Sequence, residues 1–207
     1  MQKFIFFIVA IIVAACQQQG HKLPFYDTAD FTPRWISSPG NSFHKIRSFR
    51  LVNQNGETVT EKNMDGKICV VDFFFTTCPG ICPKLTGSMS AIQQQFLSDD
   101  HILLLSHTAT PESDRVPVLK RYAETKGVNA NRWMLLTGNR SELYDLGRKY
   151  YFIEEDLGEN RDTTEFLHTE NFVLVDKQRR LRGIYNGLDK SSVEMLARDI
   201  KLLEQED

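Results

Sequence analysis

The chain has 207 residues, enough for one domain with a sizeable core plus appendages and short for two. Its composition is 41% hydrophobic and 25% charged with a net charge of −2, which is that of an ordinary globule. It carries no long basic block and no aromatic–basic interleaving, which excludes nucleic acid as a partner.

In chain order, the first segment is an address. Lys3 precedes an apolar run from Phe4 to Ala15, followed by Val13-Ala14-Ala15-Cys16 and polar Gln17-Gln18-Gln19-Gly20. Twelve apolar residues in a helix reach about 18 Å, well short of a bilayer core of roughly 30 Å, so the run reads as the apolar part of a signal peptide. Small residues before a cysteine resemble a bacterial lipobox. That resemblance implies removal of residues 1–15 and lipid attachment at Cys16; the alternative is an ordinary signal peptide with an incidental cysteine. Either way the mature domain lies outside the cytoplasm, facing the periplasm in the lipoprotein reading. Residues 16–42, with Pro24, Pro33 and Pro39, read as anchor and tether, and residues 43–207 as the domain.

Phe49, Leu51 and Val59 flank the turn Asn53-Gln54-Asn55-Gly56 and predict a hairpin. Residues 67–75 are almost continuously apolar, as expected of a strand buried on both faces, and Cys69 within it is a small core residue. Ile81, Leu85, Met89, Ile92 and Phe96 recur at helical spacing. Residues 101–107 form a second buried strand. A helix starts near Asp114 with Pro117 in its first turn and Gly127 closing it. A short strand at 132–136 and a short helix at 141–150 follow. Strands at 172–176 and 181–185 form a hairpin across Lys177-Gln178, so the basic run 178–182 is a solvated turn. A last helix carries Val193, Leu196, Ile200 and Leu203 on one stripe. This order predicts an α/β, thioredoxin-like central sheet flanked by helices, with an added N-terminal β-hairpin.

The chemistry concentrates at Cys78-Pro79-Gly80-Ile81-Cys82-Pro83, where a strand runs into a helix. A cysteine there meets unpaired backbone N–H groups and the positive end of the helix dipole, which favours the thiolate. Residues i and i+4 on one helical face can offer two sulfurs to one ion. A structural disulfide is the bland alternative. Thiol–disulfide exchange is the other active one, but its motif is C-x-x-C, whereas here three residues separate the cysteines. A redox thioredoxin also places a cis-proline before its late hairpin, and every proline here lies at or before Pro117. His168 occupies that place instead. Two thiolates and an imidazole suit copper, with zinc the competitor; a structural zinc site usually has a fourth protein ligand. His21, His44 and His101 read as solvated, and His107 as a candidate partner or substitute ligand at the site. Met89 and Met195 fit apolar helix faces. A peroxide-handling thiol enzyme would need a cationic partner beside its thiolate, and no Arg or Lys can be named for it.

Thr76-Thr77-Cys78-Pro79-Gly80-Ile81-Cys82-Pro83, Thr110-Pro111-Glu112-Ser113-Asp114, Trp133-x-x-Leu136-Thr137-Gly138 and His168 before residues 172–176 together resemble the Sco family. The resemblance spans residues 43–205. It implies copper, as Cu(I) or Cu(II), bound by Cys78, Cys82 and His168, and assistance to the copper-bearing subunit of cytochrome c oxidase or another extracytoplasmic cuproprotein. The alternative it allows is an extracytoplasmic thiol–disulfide reductase using Cys78 and Cys82 as catalytic thiols that end as a disulfide. The chain departs from the family in having Gly80 and Thr110 at acidic positions and Leu167 where an Asp precedes the ligand histidine. The first two changes remove charge but no ligand; the third removes a partner for the ring of His168.

Overall fold

A computed structural model describes residues 22–153 and 169–206 of the chain. Seven strands form one sheet in the order β2-β1-β5-β4-β3-β6-β7. They are β1 (Arg50–Asn53), β2 (Thr58–Thr60), β3 (Ile68–Phe74), β4 (Ile102–Thr108), β5 (Trp133–Thr137), β6 (Asn171–Val175) and β7 (Leu181–Asn186). The helices are α1 (Cys82–Gln95), α2 (Val116–Lys126), α3 (Arg140–Asp145), which runs on into a π-type turn at Leu146–Tyr150, and α4 (Lys190–Gln205). The expected thioredoxin-like α/β sheet is therefore present. The hairpin β1–β2 is attached antiparallel to β5 and widens the sheet on that side.

β3 lies at the heart of the sheet and is buried along its whole length. It is parallel to β4, with Asp72 opposite Ser106, and antiparallel to β6, with Cys69 opposite Val175. Alternation along β3 and β4 divides the core in two. On one face Ile68, Val70 and Phe74 pack with Leu85, Met89 and Ile92 of α1, Phe96 just past its end, Leu119 of α2, and Leu196 and Ile200 of α4. On the other, Cys69, Val71 and Phe73 pack with the β1–β2 hairpin, α3 and Tyr151. Cys69 is thus a core residue, as expected.

The helix ends follow the sequence signals. Pro117 sits in the first turn of α2, and Gly127 closes that helix with φ 67°, a left-handed conformation open to glycine without a Cβ clash. The Asp189 carboxylate caps α4 by accepting from the N–H groups of Ser191 and Ser192. Among the described residues, no helix is long and apolar enough to cross a membrane.

Three expectations are corrected. The described part of the expected tether, residues 22–42, is not loose but a strap packed on the domain. Phe25 and Arg34 bridge each other and Tyr26 bridges Leu181, extending the edge at β7. Arg182 donates to the carbonyls of Pro24 and Leu23, and its guanidinium lies 4.0 Å from the Phe25 ring centroid. His44 is not solvated but stacks on Phe152 with ring centroids 4.5 Å apart. Met195 is 48% exposed, so of the two helical methionines only Met89 is core.

One carboxyl lies inside the apolar layer beneath α1. Asp72 of β3 accepts from the Ser106 hydroxyl of β4, which in turn accepts from Trp133 Nε1 of β5 at 2.7 Å. The chain of hydrogen bonds ties three adjacent strands together. Burial pushes the Asp72 carboxyl up to about 7, with the Ser106 hydrogen bond opposing that rise. The folded state therefore holds a proton that the unfolded chain releases near pH 3.9, and stability declines as pH rises from about 4 to about 7. Asp72→Asn should remove that decline and raise stability at pH 8 by on the order of 4 kcal/mol, since the rise spans about three tenfold changes in proton affinity at about 1.4 kcal/mol each. Urea unfolding of both proteins at pH 5 and pH 8 checks this; an identical pH dependence in the two would contradict it.

Candidate metal centre

β3 ends at Phe74 on the edge where the parallel strands β3 and β4 both terminate. The chain then turns, with the Cys78 N–H reaching the Phe75 carbonyl at 3.3 Å, and enters α1 at Cys82 with Pro83 following. Pro83 suits this place because its missing N–H is one that a first helical turn leaves unpaired in any case. The helix thus starts one turn later than the cysteine spacing predicts. Cys82 is its first residue, while Cys78 lies in the turn before it rather than on the helical face.

That turn still brings the two sulfurs together, because Cys78 curls back over the helix start. Both thiols are free, Cys82 buried and Cys78 part-exposed. Partial burial works against the Cys78 thiolate. The Cys82 thiol and the backbone N–H groups of Cys82, Gly80 and Ile81 donate to its sulfur and outweigh that cost, lowering its pKa. Cys82 goes the other way, to about 12. Burial is the main cause, then the bond it gives to Cys78, and the negative charges of Cys78 and Asp72 add to it, while the Phe75 backbone opposes it. The pair is thus asymmetric: an outer sulfur ready as thiolate and an inner one that holds its proton.

The turn is pinned from below by a group that sequence reading did not single out as a site residue. Asp114, fully buried, accepts from the Thr76 backbone N–H at 3.2 Å and from three hydroxyls, those of Thr76 at 2.5 Å, Thr108 at 2.5 Å and Thr110 at 3.0 Å. Thr110, one of the motif residues, is thus a direct partner of the buried carboxylate. Thr76 and Asp114 are 38 residues apart, so only the parallel pairing of β3 and β4 could reveal their meeting. Tyr122 of α2 completes the wall: its ring packs 5.5 Å from that of Phe74, and its hydroxyl pairs with Thr86 at 2.8 Å.

His168 and Cys16 lie outside the described residues, as do His21 and residues 1–15. Backbone on the C-terminal side of His168 is placed beside α1. The Glu170 carbonyl accepts from Gly187 N–H at 2.8 Å, and the Gly187 carbonyl accepts from Ser88 Oγ of α1 at 2.7 Å. A Cβ on Gly187 would meet Leu85 and Phe172 at 2.7 Å, so this close approach of β7's end to α1 requires glycine. Among the described residues, no three His, Cys, Asp or Glu side chains converge on a common point. The donors there that suit a soft metal are the two cysteine sulfurs.

His107 is not a partner of this site. Its strand position beside Phe73 turns it to the opposite face of the sheet from Asp72 and Cys82. There it is fully buried, stacked on Phe73 at 4.9 Å between centroids with Tyr151 and Phe49 around it. Burial depresses its pKa to about 3, so the ring is neutral, and among the described residues neither ring nitrogen has a hydrogen-bond partner.

The arrangement has counterparts among known proteins. The SCO1/SenC family profile matches residues 38–204. The SCO1 protein homolog of Bacillus subtilis is 26% identical over 170 residues, covering 80% of this chain and 85% of that protein. A solved structure of BsSco, described as a member of the Sco family of cytochrome c oxidase assembly proteins with a disulfide switch, superposes with a TM-score of 0.66. It is 25% identical and covers 79% of this chain and 95% of its own. ScoI of Bradyrhizobium japonicum, solved with copper bound, gives a TM-score of 0.61 at 25% identity, covering 76% of this chain and 98% of its own. With the family profile matched across the whole strand-and-helix core that carries Cys78 and Cys82, the chain belongs to the SCO1/SenC family.

Proposed function

We propose that this protein is a membrane-tethered copper metallochaperone that binds copper through Cys78, Cys82 and His168 and serves assembly of the copper centre of cytochrome c oxidase. The observation that carries the reading is the reduced, asymmetric thiol pair at the helix start. Copper bound in related structures supports the metal. Two sulfurs and an imidazole form a soft donor set suited to Cu(I), and the part-exposed outer sulfur gives an acceptor protein a point of approach. His168 enters from its sequence place, two residues before Glu170, whose backbone is tied to α1 through Gly187. The lipobox at Cys16 supports the tether and an extracytoplasmic, periplasm-facing location.

The same asymmetry favours a second reading, a thiol–disulfide reductase acting on partner cysteines. The Cys78 thiolate would attack a partner disulfide, forming a mixed disulfide and releasing one partner thiolate. Cys82, giving up its proton, would then attack the Cys78 sulfur and release the second thiolate. The partner gains two electrons and this chain ends as the Cys78–Cys82 disulfide. That chemistry needs no third donor.

Copper and the disulfide use the same two sulfurs and should exclude each other. Anaerobic titration should give one copper per reduced chain and far weaker binding to oxidised chain; equal stoichiometry in both states would contradict the site. Binding must also displace the proton of Cys82, so copper affinity should rise about tenfold per pH unit while Cys78 is already thiolate. Below the Cys78 pKa the rise should be steeper, because two protons then leave. His168→Ala separates the two readings. Losing a partner of a ligand typically costs about 10–100-fold in metal affinity, so losing a ligand should cost at least about that. The dithiol reduction potential should stay close to that of the parent protein. Unchanged copper affinity would overturn the ligand set and favour the reductase.

A further inference from the structure

Trp35 and Ile36 are large apolar side chains outside the core, 71% and 41% exposed. They are neighbours on the strap, directly after Arg34, whose N–H pairs with the Phe25 carbonyl at 2.8 Å, so they run back alongside Pro24 and Leu23. This is the place where the described residues begin, at Lys22. The next residues of the strap, Ser37, Ser38 and Pro39, line a cavity of about 420 Å³ together with Lys22 and Glu206.

The strap lies at the foot of the sheet. Leu23 N–H donates to Glu206 beyond the end of α4, and Tyr26 N–H to Leu181 at the start of β7. The adjoining turn reaches Gly66, just before β3, through the Lys177 carbonyl. Cys78 and Cys82 follow the other end of β3, six residue steps away, a separation of about 20 Å at 3.3 Å per residue. The thiol pair and the strap that starts at Lys22 are therefore at opposite ends of the domain.

We propose that Trp35 and Ile36 insert into the interfacial layer of the bilayer that carries the Cys16 lipid, so that the domain stands on this foot with the thiol pair facing away from the membrane. The proposal rests on the membrane-tethered reading. Five residues lie between Cys16 and Lys22, and the six steps from one to the other span at most about 22 Å even fully extended. The foot is thus held close to the lipid surface whatever path those residues take. Tryptophan favours the membrane–water boundary, where one edge of its ring is wet and the other apolar, and a lysine beside it can reach the headgroups.

The chain's own chromophores report the outcome, because the second of its two tryptophans, Trp133, is 1% exposed in the core. The lipidated full-length protein would be reconstituted in phosphatidylethanolamine–phosphatidylglycerol vesicles, with and without brominated acyl chains. Trp35 emission should shift to shorter wavelength, lose intensity to the bromolipid and escape iodide, and Trp35→Phe should abolish all three changes. Ile36→Asp should return Trp35 to water while the protein still floats with the vesicles. Flotation with Trp35 still open to iodide would overturn the insertion and leave the anchor standing. Failure to float would overturn the anchor reading and the proposal with it. Shielding of Trp35 that grows with protein concentration in the absence of vesicles would assign the patch to a second copy of the chain and also overturn the proposal.

Discussion

The position of β3 is the constraint from which the site follows. The strand is buried on both faces and hydrogen-bonded on both edges, to β4 and to β6, so its register has no freedom to slip without moving two neighbours and two core layers. Its last residue is therefore a fixed point. The turn after it is held a second time by Asp114, which gathers Thr76 with Thr108 and Thr110 from the end of β4. Cys78 is projected from a rigid base although it is itself partly exposed, which is what a binding residue on a loop requires.

The two cysteines then differ because the backbone around them differs. Cys78 lies where three successive N–H groups at the start of α1 lack helical partners, and its sulfur takes their hydrogen bonds. Cys82, one turn on, is already part of the helix and is buried near a carboxyl. Soft-metal binding and thiol exchange both begin from this arrangement, since each needs one thiolate ready and a second sulfur whose proton leaves during the event. The choice between them falls on a third donor, and for that reason His168 separates the two readings.

Most of the elements were legible because their periods were clear. The apolar run of β3, the stripe on α4, the Pro117–Gly127 bracket of α2 and the Lys177-Gln178 turn each sit within a few residues of where the sequence puts them. The strap was not legible: its prolines and polar residues describe a tether, and its order comes from Arg182 and Glu206, more than 150 residues away. The apolar stripe from Ile81 onward marks α1 correctly, but taking Cys78 and Cys82 as i and i+4 on one helical face puts the helix start one turn too early, because Cys78 still lies in the turn. His107 misleads for a different reason. Strand parity, with Asp72 and Ser106 on the α1 face, assigns it to the opposite one, but that parity needs the register between β3 and β4. Asp72 itself was visible as a lone carboxyl in an apolar run, whereas Asp114 stood in a quoted motif without its partners.

Everything said of the thiol pair depends on the order in which its two sulfurs ionise, and thiolate titration by ultraviolet absorbance reads that order. Reduced protein would be followed across the alkaline range alongside Cys78→Ser and Cys82→Ser. Cys78 should ionise first, lowered from its ordinary value by the N–H groups around it, while Cys82 keeps its proton far into the alkaline range. In Cys78→Ser the Cys82 pKa should fall from about 12, because the neighbouring negative charge and the bond to it are gone. Two thiols titrating together near the usual value, or Cys82 ionising first, would contradict the asymmetry.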